Sequence, residues 1–255
     1  MRGVVTMVPI LPVSLRLDNY DLPGFKPVVA GFGTGRFGFL VTPNVDHVIR
    51  YFDDPNFREL YAAADYVLLD SRVLALMLRL IRGLRARVCT GSDLTAEVIR
   101  YVLAADDRVV LIGATAAQAQ RLAADYGLRN LQHHCPPMGF IRDAAAVEAC
   151  VRFVEQASPF RYCLLAVGSP QQEVVAGMLK RRGVAKGLAL CVGASINFLT
   201  GVERRAPRWM QRCGLEWLFR LLSEPGRMAR RYLVRGPRVF LILRKLQVTL
   251  RAPTA

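Results

Sequence analysis

No apolar run in this chain reaches the roughly 18–20 residues that cross a bilayer as a helix. There is no long linker, no low-complexity block and no repeat at solenoid spacing, so the 255 residues suit one large domain, or one domain with an appendage. None of the six cysteines (Cys89, Cys135, Cys150, Cys163, Cys191 and Cys213) forms a C-x-x-C pair, and several lie in apolar runs. Buried free thiols in a reducing compartment are therefore expected. Histidine is scarce: His133 and His134 adjoin Cys135, but no second ligand cluster accompanies them, and no metal site is expected. The first 21 residues, MRGVVTMVPILPVSLRLDNYD, lack a small-residue cleavage site and are broken by prolines. They read as a strand-rich start, not a signal peptide.

Acidic residues are also few, 20 against 35 Lys and Arg, which leaves a formal charge of +15. The excess is concentrated from Glu203 onward, where 13 basic residues meet 3 acidic ones. Such a block attracts phosphate-rich partners or is a solvated basic face.

What the chain does have is alternation. Apolar strand-like runs at 37–44, 65–71, 108–115, 128–140, 162–173 and 187–195 alternate with helical spacing at 45–64, broken at Asp54–Pro55, at 93–105, and in the stretches after 115, 140 and 173. Asp93 is the expected N-cap of the second helical segment, and Gly127 the expected C-cap of the third. The pattern indicates a Rossmann-like, mostly parallel sheet flanked by helices. In such sheets ligands bind beyond the strands' carboxyl ends, where the polar tips at 42–44, 68–71, 168–173 and 193–197 would converge. Gly33, Gly35 and Gly38 match the G-x-G-x-x-G spacing of a dinucleotide loop. A working loop of that kind follows a strand and opens a helix. Here FLVTPN follows, so a loop or hairpin leading into a strand is expected, outside the site.

Several segments, in order, resemble the WecG/TagA/CpsF glycosyltransferases, family 26: VTPNVDHV (41–48), ADYVLLDS (64–71), TGSDL (90–94), PPMGF (136–140), GSPQQE (168–173) and GASINFLTGVERRAPRWMQRCGLEWLFRLLSEPGRMARRYL (193–233). The last is the most specific. The resemblance implies a GT-E-type catalytic core, residues 1–200, and a basic helical appendage, residues 201–255, that closes the active site and contacts the membrane. It further implies an inverting, metal-independent enzyme without cofactor. Such an enzyme moves a hexosyl or N-acetylhexosaminyl group from a UDP-sugar to a polyprenyl-diphosphate-linked sugar for teichoic acid, common antigen, capsule or exopolysaccharide. The expected location is the cytoplasmic face of the bacterial inner membrane, as a peripheral protein. Nucleic acid is not an expected partner, and self-association is left open.

Carried over residue by residue, the resemblance makes Asp70 the catalytic base. A strand-end Asp in a partly desolvated cleft suits that role, since burial raises its pKa, although it could equally cap the next helix. Where the family usually has Gly, this chain has Ser71. Thr42 and Asn44 match a polar pair that binds the donor or orients Asp70, or they serve as turn and cap residues. Gln172 matches a substrate-binding glutamine. Asn197, where relatives commonly have Asp, is a nucleotide-binding candidate. Arg220, Arg227 and Arg230 match arginines around the active site; guanidinium forks suit diphosphate oxygens, and membrane-surface charge is their other role. Arg87 and Gly139 are further binding candidates. LEWLFRLL and RVFLILRKLQVTLR read as basic amphipathic segments for an anionic membrane, or as faces packed on the core. A non-catalytic membrane-associated scaffold with a degenerate site is a second reading, and a nucleotide-dependent oxidoreductase using the glycine loop a third.

Overall fold

The computed structural model describes residues 13–253. Among these residues eight strands form: β1 (Ser14–Asp18), β2 (Phe37–Val41), β3 (Tyr66–Val67), β4 (Val109–Gly113), β5 (Leu131–His134), β6 (Tyr162–Ala166), β7 (Gly187–Cys191) and β8 (Gln247–Arg251). Six make one all-parallel sheet in the order β3-β2-β7-β6-β4-β5, and β1 pairs with β8 in a separate parallel pair. Every residue of β2, β4 and β7 is buried, which is why these strands read as unbroken apolar runs. Alternate side chains divide between two cores. Phe37, Phe39, Val110, Ile112 and Leu165 face one, and Leu40, Val109, Leu111, Leu164 and Leu190 face the other.

The helical punctuation follows local chemistry. Helices Val45–Asp53 and Pro55–Ala63 part at Asp54, which ends the first and caps the second. Gly127 adopts a left-handed conformation (φ 65°) and ends the helix Ala116–Tyr126. The helix after TGSDL starts earlier than expected, at Gly91. Its cap is Thr90, not Asp93: the Thr90 hydroxyl accepts the Asp93 N–H at 3.1 Å and donates to Asp93 Oδ2 at 2.7 Å. Of the expected strand-rich start, residues 1–12 lie outside the described residues. β1 forms, but a helix follows at Leu22–Gly31, with Pro23 in its first turn, where a missing N–H costs nothing, and Pro27 inside it.

The glycine loop sits in reversed context. Helix Leu22–Gly31 precedes it and β2 follows, so it lies at the amino end of the sheet, away from the strand ends that bind ligands. Gly38 is inside β2, where a Cβ would come within 2.4 Å of the Phe32 ring; its absence lets that ring pack.

After β7 the chain forms helices Ser195–Leu199, Arg208–Arg212, Glu216–Ser223 and Pro225–Ala229, widens to i→i+5 spacing over Arg230–Arg235, and ends in helix Arg238–Lys245 and β8. Val239, Ile242, Leu243 and Leu246 are buried in the same core as Leu74 and Leu78 of helix Arg72–Arg82. With β8 paired to β1, the first and last described strands lie side by side. Among the described residues, no helix is long and apolar enough to cross a membrane.

Candidate active site

Asp70 follows β3 on a run, Leu68–Leu69, that is fully buried. Backbone bonds hold this run in register beyond the strand: Leu68 N–H to Val41 O, Asp70 N–H to Pro43 O and Cys89 N–H to Leu69 O. The Asp70 carboxylate is thereby delivered to the carboxyl end of the sheet, where its Oδ1 accepts the Gly91 N–H at 2.7 Å. Ser71 has φ −113°, an extended conformation open to any residue, and its hydroxyl caps helix Arg72–Arg82 by accepting the Leu74 N–H. Helix capping in this turn thus falls to Ser71, and the Asp70 side chain is left facing a cavity.

That cavity has a volume of about 300 Å³ and lies between the β2 and β3 ends, the start of helix Gly91–Glu97 and the folded-back C-terminal segment. Asn44, Asp70, Thr90, Asp93, Arg205, Glu216, Trp217, Arg220, Arg231 and Tyr232 are in its wall. Burial pushes the Asp70 carboxyl up to about 6. The Gly91 hydrogen bond works against that rise, the charge of Glu216 adds to it, and Arg220 and Arg205 oppose it. A carboxylate so placed is largely ionised at neutral pH and still basic enough to take a proton.

The other expected residues divide by position. Asn44 is in the wall, and its side chain is engaged: Oδ1 caps helix Val45–Asp53 and accepts Arg231 Nη2 at 3.3 Å. Thr42 stands behind it against Gly91, whose missing Cβ would sit 2.8 Å from Thr42 Oγ1. Arg220 is in the wall, paired with Glu216 at 3.2 Å and stacked over Phe198. Arg230 is exposed and not in the wall, and the Arg227 side chain lies outside what is described. A helix carried straight through these arginines would set them on one face. The break at Glu224 and the widened turn at Arg230–Arg235 bring Arg231 inward instead.

Gln172 is buried and ties two strand-end loops together, accepting the Gly193 N–H at 3.0 Å and donating to Glu173 at 3.0 Å. Asn197 bridges Gln118 (2.8 Å) and Glu203 (2.9 Å) near the same end of the sheet. Gly139 is exposed beyond β5, at the far edge. Arg87 pairs with Asp21 on the surface at 3.2 Å. Neither Gln172, Asn197, Gly139 nor Arg87 is in the cavity wall.

Three further residues, Arg205, Arg231 and Glu173, escape a reading of the sequence alone. Arg205 stands in the RRAP run, but only the fold sets it against Asp93 at 2.6 Å. Glu173 stands in GSPQQE, yet its burial and a pKa pushed up to about 7 follow from helix packing. A family model described as Glycosyl transferase WecG/TagA/CpsF family matches residues 12–252, nearly the whole chain.

Proposed function

Because the chain belongs to the WecG/TagA/CpsF glycosyltransferase family, we propose that it transfers a sugar, with inversion, from a UDP-sugar to a polyprenyl-diphosphate-linked sugar in the building of a bacterial surface polysaccharide. The observation that carries this reading is the Asp70 carboxylate: half-buried in a cavity, raised to about 6, and held by one N–H. In the reaction Asp70 takes the proton of the acceptor hydroxyl as that oxygen bonds the anomeric carbon. The bond from the anomeric carbon to UDP breaks on the opposite side. Charge then develops on the diphosphate, and Arg220 and Arg231, both in the wall, are the groups for it. Asn44 and Thr42 orient the donor side, and Gln172 and Asn197 support it through the strand-end loops they brace.

The acceptor's lipid would remain in the membrane, and the surface beside the cavity suits that. Leu233, Val234, Phe240 and Leu241 are exposed among Arg230, Arg235, Arg238, Arg244 and Lys245. Leu76 and Leu80 are exposed on helix Arg72–Arg82, which the C-terminal helix packs against. Apolar groups set among cations bind the interface of anionic bilayers. A panel of UDP-sugars offered with a synthetic lipid-linked acceptor identifies the donor, and Asp70→Asn tests the base. Loss of transfer with unchanged folding and UDP binding is the expected result. Unchanged turnover rejects the assignment, and a chain inactive with every donor favours a scaffold.

A further inference from the structure

Glu216, Arg220 and Arg205 all act on Asp70 through their charge, and Arg205 is engaged elsewhere. Arg205 lines the cavity, yet its guanidinium does not pair with Asp70. It donates from Nη1 to Asp93 Oδ1 at 2.6 Å and from Nη2 to Thr90 Oγ1 at 3.4 Å. The second Asp93 oxygen accepts the Thr90 hydroxyl at 2.7 Å. Asp93 is thus filled on both oxygens, and it holds Thr90, the residue immediately before Gly91. The Thr95 hydroxyl fixes the Gly91 carbonyl at 2.6 Å, and Thr42 closes its other side. The Gly91 N–H is consequently held in one direction, toward Asp70.

We propose that Asp93 is a positioning residue for transfer: it sequesters Arg205 from the Asp70 carboxylate and fixes the single N–H that Asp70 accepts. The arrangement solves a conflict inherent in the site. Diphosphate needs cations, but a guanidinium seated on the base would lower its proton affinity and leave it a poor base. Asp93 takes that guanidinium. Burial pushes the Asp93 carboxyl up, but the Arg205 and Thr90 hydrogen bonds outweigh it and hold the group below the usual carboxylate range, so it stays ionised and keeps its arginine. Other charged or titratable groups face Asp70 from every side: Glu216 and Arg220 from helix Glu216–Ser223, Cys89 from the preceding loop, and Tyr61 from helix Pro55–Ala63. Arg72, Asp46 and Arg231 stand further round the cavity wall. None of these is the partner of Asp93 in a close ion pair, so the two ends of the Asp93–Arg205 pair can be varied separately.

The two ends make opposite predictions, which an ion pair without influence on Asp70 does not. Protein labelled with ¹³C at the Asp side-chain carboxyl gives the Asp70 midpoint directly by NMR, with Asp70→Asn assigning the signal. In Asp93→Asn, the released Arg205 settles on Asp70 and its midpoint falls by about one pH unit, a ten-fold loss of proton affinity. In Arg205→Met a nearby cation is removed, and the midpoint rises. In the double variant both charges are gone, and the midpoint returns to that of the wild type. Movement in the same direction in both single variants, or none, overturns the proposal. Should Asp93→Asn fail to fold, Arg205→Met alone decides, since an unmoved midpoint is then enough to reject it. Although the catalytic meaning rests on Asp70 acting as base, this titration uses no substrate. An active Asp70→Asn enzyme would therefore reject Asp70 as the base while leaving the measured pairing intact. In the transfer assay the acid limb of kcat/KM follows the same order, and Arg205→Lys restores it.

Discussion

At the scale of single residues, two carboxyls, one buried and one half-buried, set how this protein responds to pH. Asp70 is raised from 3.8 to about 6 and Glu173 from 4.5 to about 7, burial being the largest cause in both. For Glu173, the hydrogen bond from Gln172 pulls the other way without cancelling burial. A carboxyl whose folded pKa lies above its unfolded value binds its proton more tightly when folded. Its contribution is complete below the unfolded pKa and is lost as pH rises through the folded one. Wild-type protein is therefore expected to lose stability from Glu173 between about pH 4.5 and 7. Glu173→Gln removes the titration, so denaturant melts should show the variant gaining on the wild type from about pH 5 to about pH 8. The gain is bounded at about 3 to 4 kcal/mol, since a ten-fold difference in proton affinity between the folded and unfolded chain is worth about 1.4 kcal/mol. A difference that stays flat with pH would place the charge elsewhere. Asp70→Asn gains in the same sense as pH rises through about 6, while transfer falls by roughly 10²–10⁴-fold, the usual contribution of a general base. Measuring melts and turnover on one preparation separates a lost base from a damaged fold.

At the scale of elements, the start of helix Val45–Asp53 carries the most instructive detail. Asn44 caps it, and His47 returns the favour by accepting the Asn44 N–H on Nδ1 at 3.2 Å. Burial, with help from Arg231, lowers His47 to about 4, so the ring is neutral in the folded protein. A base with a depressed pKa contributes stability above its unfolded value of 6.5 and loses it as pH falls toward 4. Glutamine at this position keeps a capping acceptor and does not titrate. His47→Gln should thus flatten the loss of stability between pH 6.5 and 4, and melts that stay parallel to the wild type over that range would refute it. Elements of this kind are legible in the sequence where local chemistry decides them. The buried strands announce themselves as apolar runs, Asp54–Pro55 as a break and Gly127 as a stop. Helix Arg72–Arg82 leaves no such mark, because positions 73–78 are apolar throughout and show no polar stripe. Prolines hide helix Leu22–Gly31, and Asp93 has the look of a cap that Thr90 in fact provides. Asp70 is legible as a polar tip on an apolar run. Arg205 and Arg231 are not, because their place depends on how the C-terminal segment folds back, and no local pattern encodes that.

On the scale of the whole molecule, the C-terminal segment serves the fold and offers a surface at once. One side of helix Arg238–Lys245 buries Val239, Ile242 and Leu243, and β8 completes a ladder with β1. Cutting the chain before Arg204 would remove those contacts along with any membrane-binding groups, so loss of binding after truncation would not distinguish an anchor from an unfolded protein. The outward side can be tested by itself. Leu241 is 61% exposed and Leu80, on the neighbouring helix, 74% exposed, and neither lines the cavity. Each fully buried Leu is worth about 1.5–3 kcal/mol, so even partial insertion of both should dominate partitioning once the arginines have brought the surface close. Leu80→Glu and Leu241→Glu are expected to weaken binding to phosphatidylglycerol-containing vesicles about ten-fold each, with melts and UDP binding unchanged. Wild-type binding should also weaken with salt, because the surrounding cations act through a screened field. If the Leu80 substitution leaves vesicle binding intact while the Leu241 substitution abolishes it, the contact is confined to the C-terminal helix. If both bind as the wild type does, the exposed apolar ridge does not meet the bilayer at all.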